Sequence, residues 1–184
     1  MLVDSNLKLR SGLPGDACTL SLVAGKLFRQ AYAGKMPDAD LQACIAEDFG
    51  EQQQLDELAD PSVSTLLAEQ DGELVGYAQV RRKPIPVDTG PKVECELWRI
   101  YLDTSCQGQG LGRQLLAAVK DVALAMPSER IWLGVWEENE SAIAFYRKHG
   151  FEVVGSQPFH LGDEVHNDLV MVGSVENLDH QGDG

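Results

Sequence analysis

The residues best placed to do chemistry lie in one short run, Gln107-Gly108-Gln109-Gly110-Leu111-Gly112-Arg113. Its glycines alternate. An apolar, aromatic stretch from Leu97 to Leu102 precedes it, and a helical apolar period starts at Leu111. Glycine has no Cβ to hold a ligand off, and the first N–H groups of a helix lack an intrahelical acceptor. Strand, glycine turn and helix together therefore offer backbone N–H groups to a phosphate. On the preceding strand Glu94 and Glu96 share one face. Carboxylates on so apolar a strand are costly unless solvated or used. A further group, His160, Asp163, Glu164, His166 and Asp168, has residue types that bind metals. Its spacing suits a hairpin turn better, and no metal is expected.

The elements that must position these residues follow from apolar spacing. Lys92 to Asp103 reads as a long central strand, with Val93, Cys95, Leu97 and Arg99 on one face and Glu94, Glu96, Trp98 and Ile100 on the other. Leu111 to Ala125 is a helix, with Leu111, Leu115, Leu116, Val119, Val122 and Ala123 at helical spacing. Ile131 to Val135 is an apolar strand, Ser141 to His149 a helix closed by Gly150, and Phe151–Ser156 and Leu169–Val172 the last strands. Earlier in the chain, Leu7–Arg10 is a short strand and Ala17–Tyr32 a helix with Asp16 as its cap. Asp38 or Asp40 caps a second helix, and Gln52–Leu58 is a third. Ser64–Glu69 and Leu74–Val80 form a hairpin around Asp71-Gly72. The helical pair is either scaffold or one wall of a substrate pocket. The basic, proline-rich connection from Arg81-Arg82-Lys83 to Pro91 is either a solvated loop or a contact for nucleotide phosphates.

At 184 residues one domain is expected over 1–176, with a polar, glycine-rich tail at 177–184 frayed. The fold class is α/β, with a sheet of mixed pairing. The formal net charge of −14 argues against nucleic acid and suits a cationic small molecule or a basic peptide, besides serving solubility. No apolar run has the length of a membrane span, and Met1–Asn6 lacks the features of a signal peptide, so a cytoplasmic location is the expectation. Cys18, Cys44, Cys95 and Cys106 show no Cys-x-x-Cys pair. Cys106, in the glycine turn, is a bystander thiol or a helix-activated one.

The glycine spacing departs from the dinucleotide fingerprint, because the third glycine comes one residue early, and no Walker Lys follows. The run from Gln107 to Gly112 instead resembles the Gln/Arg-x-x-Gly-x-Gly/Ala pyrophosphate loop of the GNAT superfamily of acyl-CoA N-acyltransferases. Asn139 to Phe151 resembles the same family's Asn-x-x-Ala-x-x-x-Tyr-x-x-x-Gly-Phe segment. The resemblance covers roughly Leu66 to Val172.

The resemblance implies a mostly antiparallel central sheet, split by a V-shaped gap and flanked by helices. It implies acetyl-CoA as co-substrate and needs no metal. The pantetheine arm would meet the backbone of the Ile100-Tyr101-Leu102 stretch. The pyrophosphate would take N–H groups from Gln107, Gly108, Gln109, Gly110, Leu111, Gly112 and Arg113, and Asn139 and Ser141 would hold the far side of the arm. Tyr146 takes the position of the family's tyrosine acid; otherwise it is a core-packed tyrosine. Glu96 falls where some members carry a base glutamate; otherwise it is part of a solvated strand start, and Glu94 or a water relay are the alternative bases. The activity implied is acetyl transfer to a primary amine by direct ternary attack. The phrase from Phe159 to Glu164 resembles a branch that includes bacterial polyamine N-acetyltransferases, and a homodimer follows by analogy only. Two competing readings are a non-catalytic CoA-binding sensor or interaction module and a dinucleotide enzyme.

Overall fold

The computed structural model describes residues 7–161 and 164–176. Among the described residues five α-helices and seven strands follow in the order β1 (Leu7–Ser11), α1 (Ala17–Tyr32), α2 (Asp38–Asp48), α3 (Glu51–Ala59), β2 (Val63–Gln70), β3 (Glu73–Arg81), β4 (Glu94–Leu102), α4 (Leu111–Ala125), β5 (Arg130–Trp136), α5 (Glu140–Lys148), β6 (Phe151–Leu161) and β7 (Glu164–Ser174). The strands form one sheet in the order β1-β2-β3-β4-β5-β7-β6. β1–β2, β5–β7 and β6–β7 pair antiparallel, and β4–β5 pair parallel. The mixed, mostly antiparallel sheet expected from the sequence is thus the observed one.

The chain divides into two compact units, one made by residues up to Gln79 with Arg99–Ala118, the other by Val80–Trp98 with residues from Val119 on. In the first unit, α1 buries Leu20, Ala24, Leu27 and Phe28, the stripe its period of 3.6 dictates. Asp16 stands at its N-cap position, as expected, but its side chain makes no cap bond. The Asp16 carboxylate instead accepts from Arg10 at 2.8 Å and from the Leu13 N–H at 2.8 Å, inside a tight turn at Pro14–Asp16. The Asp71-Gly72 hairpin is as expected, both residues adopting positive φ (53° and 86°).

Arg99 was placed by alternation on an apolar face, and it is buried there, 9% exposed. The reason is a polar network that α3 delivers. Arg99 donates to Glu57 at 2.7 Å and to Gln79 Oε1 at 2.9 Å, and its guanidinium lies 4.8 Å from the Phe49 ring centroid. Gln79 and Gln53 also donate to Glu57, at 2.9 and 2.8 Å. A buried guanidinium persists only if its charge and donors are matched, and Glu57 supplies both.

In the second unit β5 is sandwiched by pairing. Trp132 is fully buried, and its indole Nε1 donates to the Lys83 carbonyl at 2.8 Å. The parallel β4–β5 pairing covers Glu94↔Arg130, Cys95↔Ile131 and Glu96↔Trp132. The final hairpin is longer than the sequence suggested. Its strands run to Leu161 and restart at Glu164, because Gln157↔Asp168, Pro158↔Asn167 and Phe159↔His166 continue the antiparallel register through polar residues. Of the His160–Asp168 group, Asp163 and the side chains of His160 and Glu164 lie outside the described residues, as does the 177–184 segment expected to fray. Among the described residues no group of three metal-binding side chains occurs. No described helix is long and apolar enough to cross a membrane.

Removing Glu57 would take from the buried Arg99 guanidinium the carboxylate it donates to at 2.7 Å. Glu57→Ala is expected to cost about 3–5 kcal/mol, read as a fall in the denaturant midpoint. Loss below about 1 kcal/mol would show that the network contributes little.

Candidate active site

The glycine turn belongs to the first unit, and Asp103 builds it. Asp103 ends β4 and is itself 8% exposed. One carboxylate oxygen accepts from the Ser105 N–H at 3.0 Å and its hydroxyl at 2.8 Å, and the other takes Lys26 at 2.6 Å. The Lys26 ammonium and these donors hold the Asp103 carboxyl well below the usual carboxylate range. The Thr104 N–H is bound by Gln30 Oε1 at 3.3 Å, and Gln109 reaches back to the Ser105 carbonyl at 3.0 Å. Gln107 to Gly110 then stand exposed. Gly108 and Gly110 have φ of 76° and 78°, the left-handed region that only glycine enters cheaply. A Cβ on either would meet nothing within 4 Å, so the space over the turn is open. Gly110 accepts from the Gln114 N–H at 3.2 Å, which starts α4. The N–H groups of Leu111, Gly112 and Arg113 therefore fall in the first turn of a fifteen-residue helix. Leu111 is buried and anchors that turn, while Arg113 is exposed. Cys106 is buried, donating its thiol to Gln70 at 3.4 Å, the environment of a packed thiol.

Along β4, the Asp103 N–H donates to the Val75 carbonyl at 2.8 Å, and a Cβ at Gly76 would lie 2.7 Å from the Tyr101 carbonyl. Tyr101 thus turns its backbone towards β3, and strand alternation turns that of Ile100 and Leu102 to the opposite edge. The Tyr101 ring packs 5.8 Å from that of Tyr77 and 6.2 Å from that of Phe28.

In the second unit, neither β4 carboxylate is a solvated strand start. Glu96 is 6% exposed, and its two oxygens face Arg81 and Lys83, the latter at 3.6 Å. Arg81 also lies 3.7 Å over the Trp98 ring. Glu94 pairs with Arg130 and accepts from the Ile85 N–H at 2.9 Å. The basic connection is therefore tied down by these two carboxylates, while Arg82 and Lys83 remain exposed. Tyr146, on α5, is 8% exposed, its ring 5.5 Å from Phe145 and 5.6 Å from Phe151. Asn139 is the N-cap of α5: its Oδ1 accepts from the Ala142 N–H at 3.3 Å and from the Ser141 hydroxyl at 3.1 Å.

The structure adds one titratable group that sequence reasoning set inside a turn. Asp168 stands on β7, and burial pushes its carboxyl up to about 6, with His166 acting against the shift. Gly134, exposed on β5, explains its position. A Cβ there would come 3.2 Å from Asp168 Oδ2 and 3.1 Å from Gln157 Nε2. Asp103 and Lys26 were likewise missed, although an Asp two residues before Ser105 is a readable capping signal.

An α/β sheet carrying a glycine turn at a helix start is an architecture whose backbone N–H groups can meet an anion such as a phosphate. Comparison with known proteins makes this specific. A profile of the acetyltransferase (GNAT) family matches residues 28–151. An uncharacterized N-acetyltransferase of Mycobacterium tuberculosis is 32% identical over 157 residues, 85% of this chain and 96% of that one. The spermine/spermidine N(1)-acetyltransferase of Bacillus subtilis is 32% identical over 96 residues, 52% of this chain and 62% of that one. Among solved structures, the PaiA N-acetyltransferase of Thermoplasma acidophilum in complex with coenzyme A superposes with a TM-score of 0.75 at 22% identity, over 92% of this chain and 99% of that one. The chain belongs to the GNAT family of acetyltransferases and is an N-acetyltransferase.

The raised Asp168 carboxyl has a signed consequence for stability. Between about pH 4 and about pH 6 the folded state holds a proton that the unfolded chain has released, so stability falls as pH rises through that window. Asp168→Asn is therefore expected to raise Tm at about pH 7.5 and to leave it unchanged at about pH 4. Equal shifts at both pH values would show that the carboxylate is not strained.

Proposed function

We propose that this chain transfers an acetyl group from acetyl-CoA to a primary amine of a small, cationic, polyamine-like molecule or of a peptide, by direct attack within a ternary complex. The observation that carries the reading is the exposed Gln107–Gly110 turn, two of whose glycines are left-handed, leading into the first N–H groups of α4. A pyrophosphate needs amides and room; a Cβ on Gly108 or Gly110 would meet nothing within 4 Å, while the Gln107 N–H is held by the Thr104 carbonyl at 3.3 Å. Gln107, Gly108, Gln109, Gly110, Leu111, Gly112 and Arg113 would take the pyrophosphate. The backbone of Ile100 and Leu102, with Tyr101 between them, would take the pantetheine arm on the β4 edge that faces away from β3. Asn139 and Ser141 would hold the arm's far side; the Asn139 Oδ1 already accepts from the Ala142 N–H and the Ser141 hydroxyl, which fixes the two side chains together.

Acetyl-CoA supplies the acetyl thioester. The amine nitrogen forms a bond to the acetyl carbon as the carbon–sulfur bond breaks. Tyr146 gives the phenolic proton to the leaving sulfur. The two Glu96 oxygens already meet two cations, so the amine's surplus proton passes towards Glu96 through water. The net charge of −14 concentrates cationic acceptors near the protein. The names of two relatives support the acceptor classes: the Bacillus subtilis spermine/spermidine enzyme, and the N-alpha-acetyltransferase RimI of Mycobacterium tuberculosis, 37% identical over 99 residues. No metal enters the proposal, and the cytoplasm is the compartment proposed.

The test is release of CoA thiol from acetyl-CoA with spermidine, amino acids, aminoglycosides and N-terminal peptides. At least one amine is expected to turn over. Tyr146→Phe is expected to lower kcat by about 10²-fold with unchanged CoA affinity. CoA binding with no turnover of any amine would make the chain a binding module instead.

A further inference from the structure

One face of the second unit's sheet carries more chemistry than the proposed reaction uses. Glu94 and Glu96 are the register partners of Arg130 and Trp132, so they share a face with Trp132, Gly134 and Trp136 on β5. Trp136 pairs with Asp168, and Asp168 with Gln157, which sets three side chains in a row across β5, β7 and β6 on that face. At its centre Gly134 leaves a gap. The Asp168 carboxylate and the Gln157 amide lean over its bare backbone, close enough that one methyl group there would press on both. The Trp136 indole stands edge-on to the His166 ring, with centroids 5.9 Å apart, and forms an aromatic wall beside Asp168.

Among the described residues Asp168 makes no ion pair with Lys or Arg. The groups facing it are His166 on its own strand, Gln157 on β6 and Trp136 on β5; Glu137, just beyond β5, is engaged by Asn167 at 3.2 Å. Burying half of a carboxylate is costly, His166 offsets only part of that cost, and a bound cation would offset more of it. The arrangement suits an organic ammonium. It offers the Asp168 carboxylate oxygen as acceptor, an aromatic wall for cation–π contact, and a floor without a side chain. A metal ion would want more oxygen ligands than this row provides.

We propose that the Asp168–Gln157 notch over Gly134 binds a second ammonium group of the acceptor, so that the enzyme selects diamines and polyamines over monoamines. This rests on the acetyltransfer reading above and names the residue that sets its acceptor class. The β4–β5 pairing ends at Glu96 and Trp132, Gly134 lies two residues further along β5, and β7 is the next strand. Two residues along a strand span about 6.6 Å and one strand spacing is about 4.8 Å, a separation of about 8 Å that a short chain of methylenes, with its ammonium hydrogen bonds, bridges. An amine at the end of the pairing and a second ammonium at Asp168 are thus joined by a molecule such as 1,4-diaminobutane or the matching segment of spermidine.

The test compares the wild-type chain with Asp168→Asn and Asp168→Glu, using 1,4-diaminobutane and 1-aminobutane as acceptors. For the wild type, the diamine is expected to have the lower KM. Asp168→Asn is expected to raise that KM at least tenfold with kcat within twofold, and to leave 1-aminobutane unaffected, while Asp168→Glu recovers part of the loss. Equal KM values for the two amines in the wild type, or an unchanged diamine preference in Asp168→Asn, would overturn the proposal. If no amine releases CoA thiol, the acetyltransfer reading fails, and calorimetry of 1,4-diaminobutane with the CoA-saturated chain decides the notch separately. Weaker binding by Asp168→Asn supports it; equal binding, or none by the wild type, overturns it.

Discussion

The Asp103 carboxylate is the interaction on which the glycine turn depends. It closes β4, accepts both the N–H and the hydroxyl of Ser105, and is neutralised by Lys26 from α1. Without that anchor the chain after Leu102 has no reason to bend where it does. With it, Thr104–Cys106 form one tight turn, Cys106 is drawn into the core, and the next four residues are left in solvent. Gly108 and Gly110 then take conformations that any other residue would adopt only under strain. A loop that must present backbone N–H groups to an anion cannot also satisfy them internally. The turn is therefore stabilised from below, by Asp103, and left open above.

The same economy governs charge in the rest of the chain. Buried or half-buried ions are matched: Arg99 by Glu57 in the first unit, Glu96 by Arg81 and Lys83 and Glu94 by Arg130 in the second. Matched ions position elements; the Glu94 and Glu96 pairs tie the Arg81–Pro91 connection to β4. Asp168 departs from this pattern, since no described Lys or Arg meets it and burial opposes its charge.

Local features were the legible ones. The apolar periods of α1 and α4, the Asp71-Gly72 hairpin and the glycine turn can be read within a dozen residues, because period and backbone conformation are local properties. What escaped depends on distant partners. Arg99 could be placed on a face but not matched, because Glu57 lies forty-two residues earlier on a helix whose docking the sequence does not encode locally. Asp168 was read as part of a turn, since polar residues usually end strands; the antiparallel register instead carried pairing through Gln157, Pro158 and Phe159. Gly134 gave no signal at all, because its meaning lies in the two side chains above it on neighbouring strands. The GNAT motifs were legible as sequence, and the roles they imply for Tyr146, Glu96 and Asn139 stand as proposals.

The central claim is that the Gln107–Arg113 turn is the place where coenzyme A's pyrophosphate is held. Backbone amide NMR of the full chain, titrated with CoA, tests it most directly. The account expects the largest shifts at the N–H groups of Gly108, Gly110, Gly112 and Arg113, saturating together. Saturation elsewhere in the chain with these four amides unmoved would contradict it.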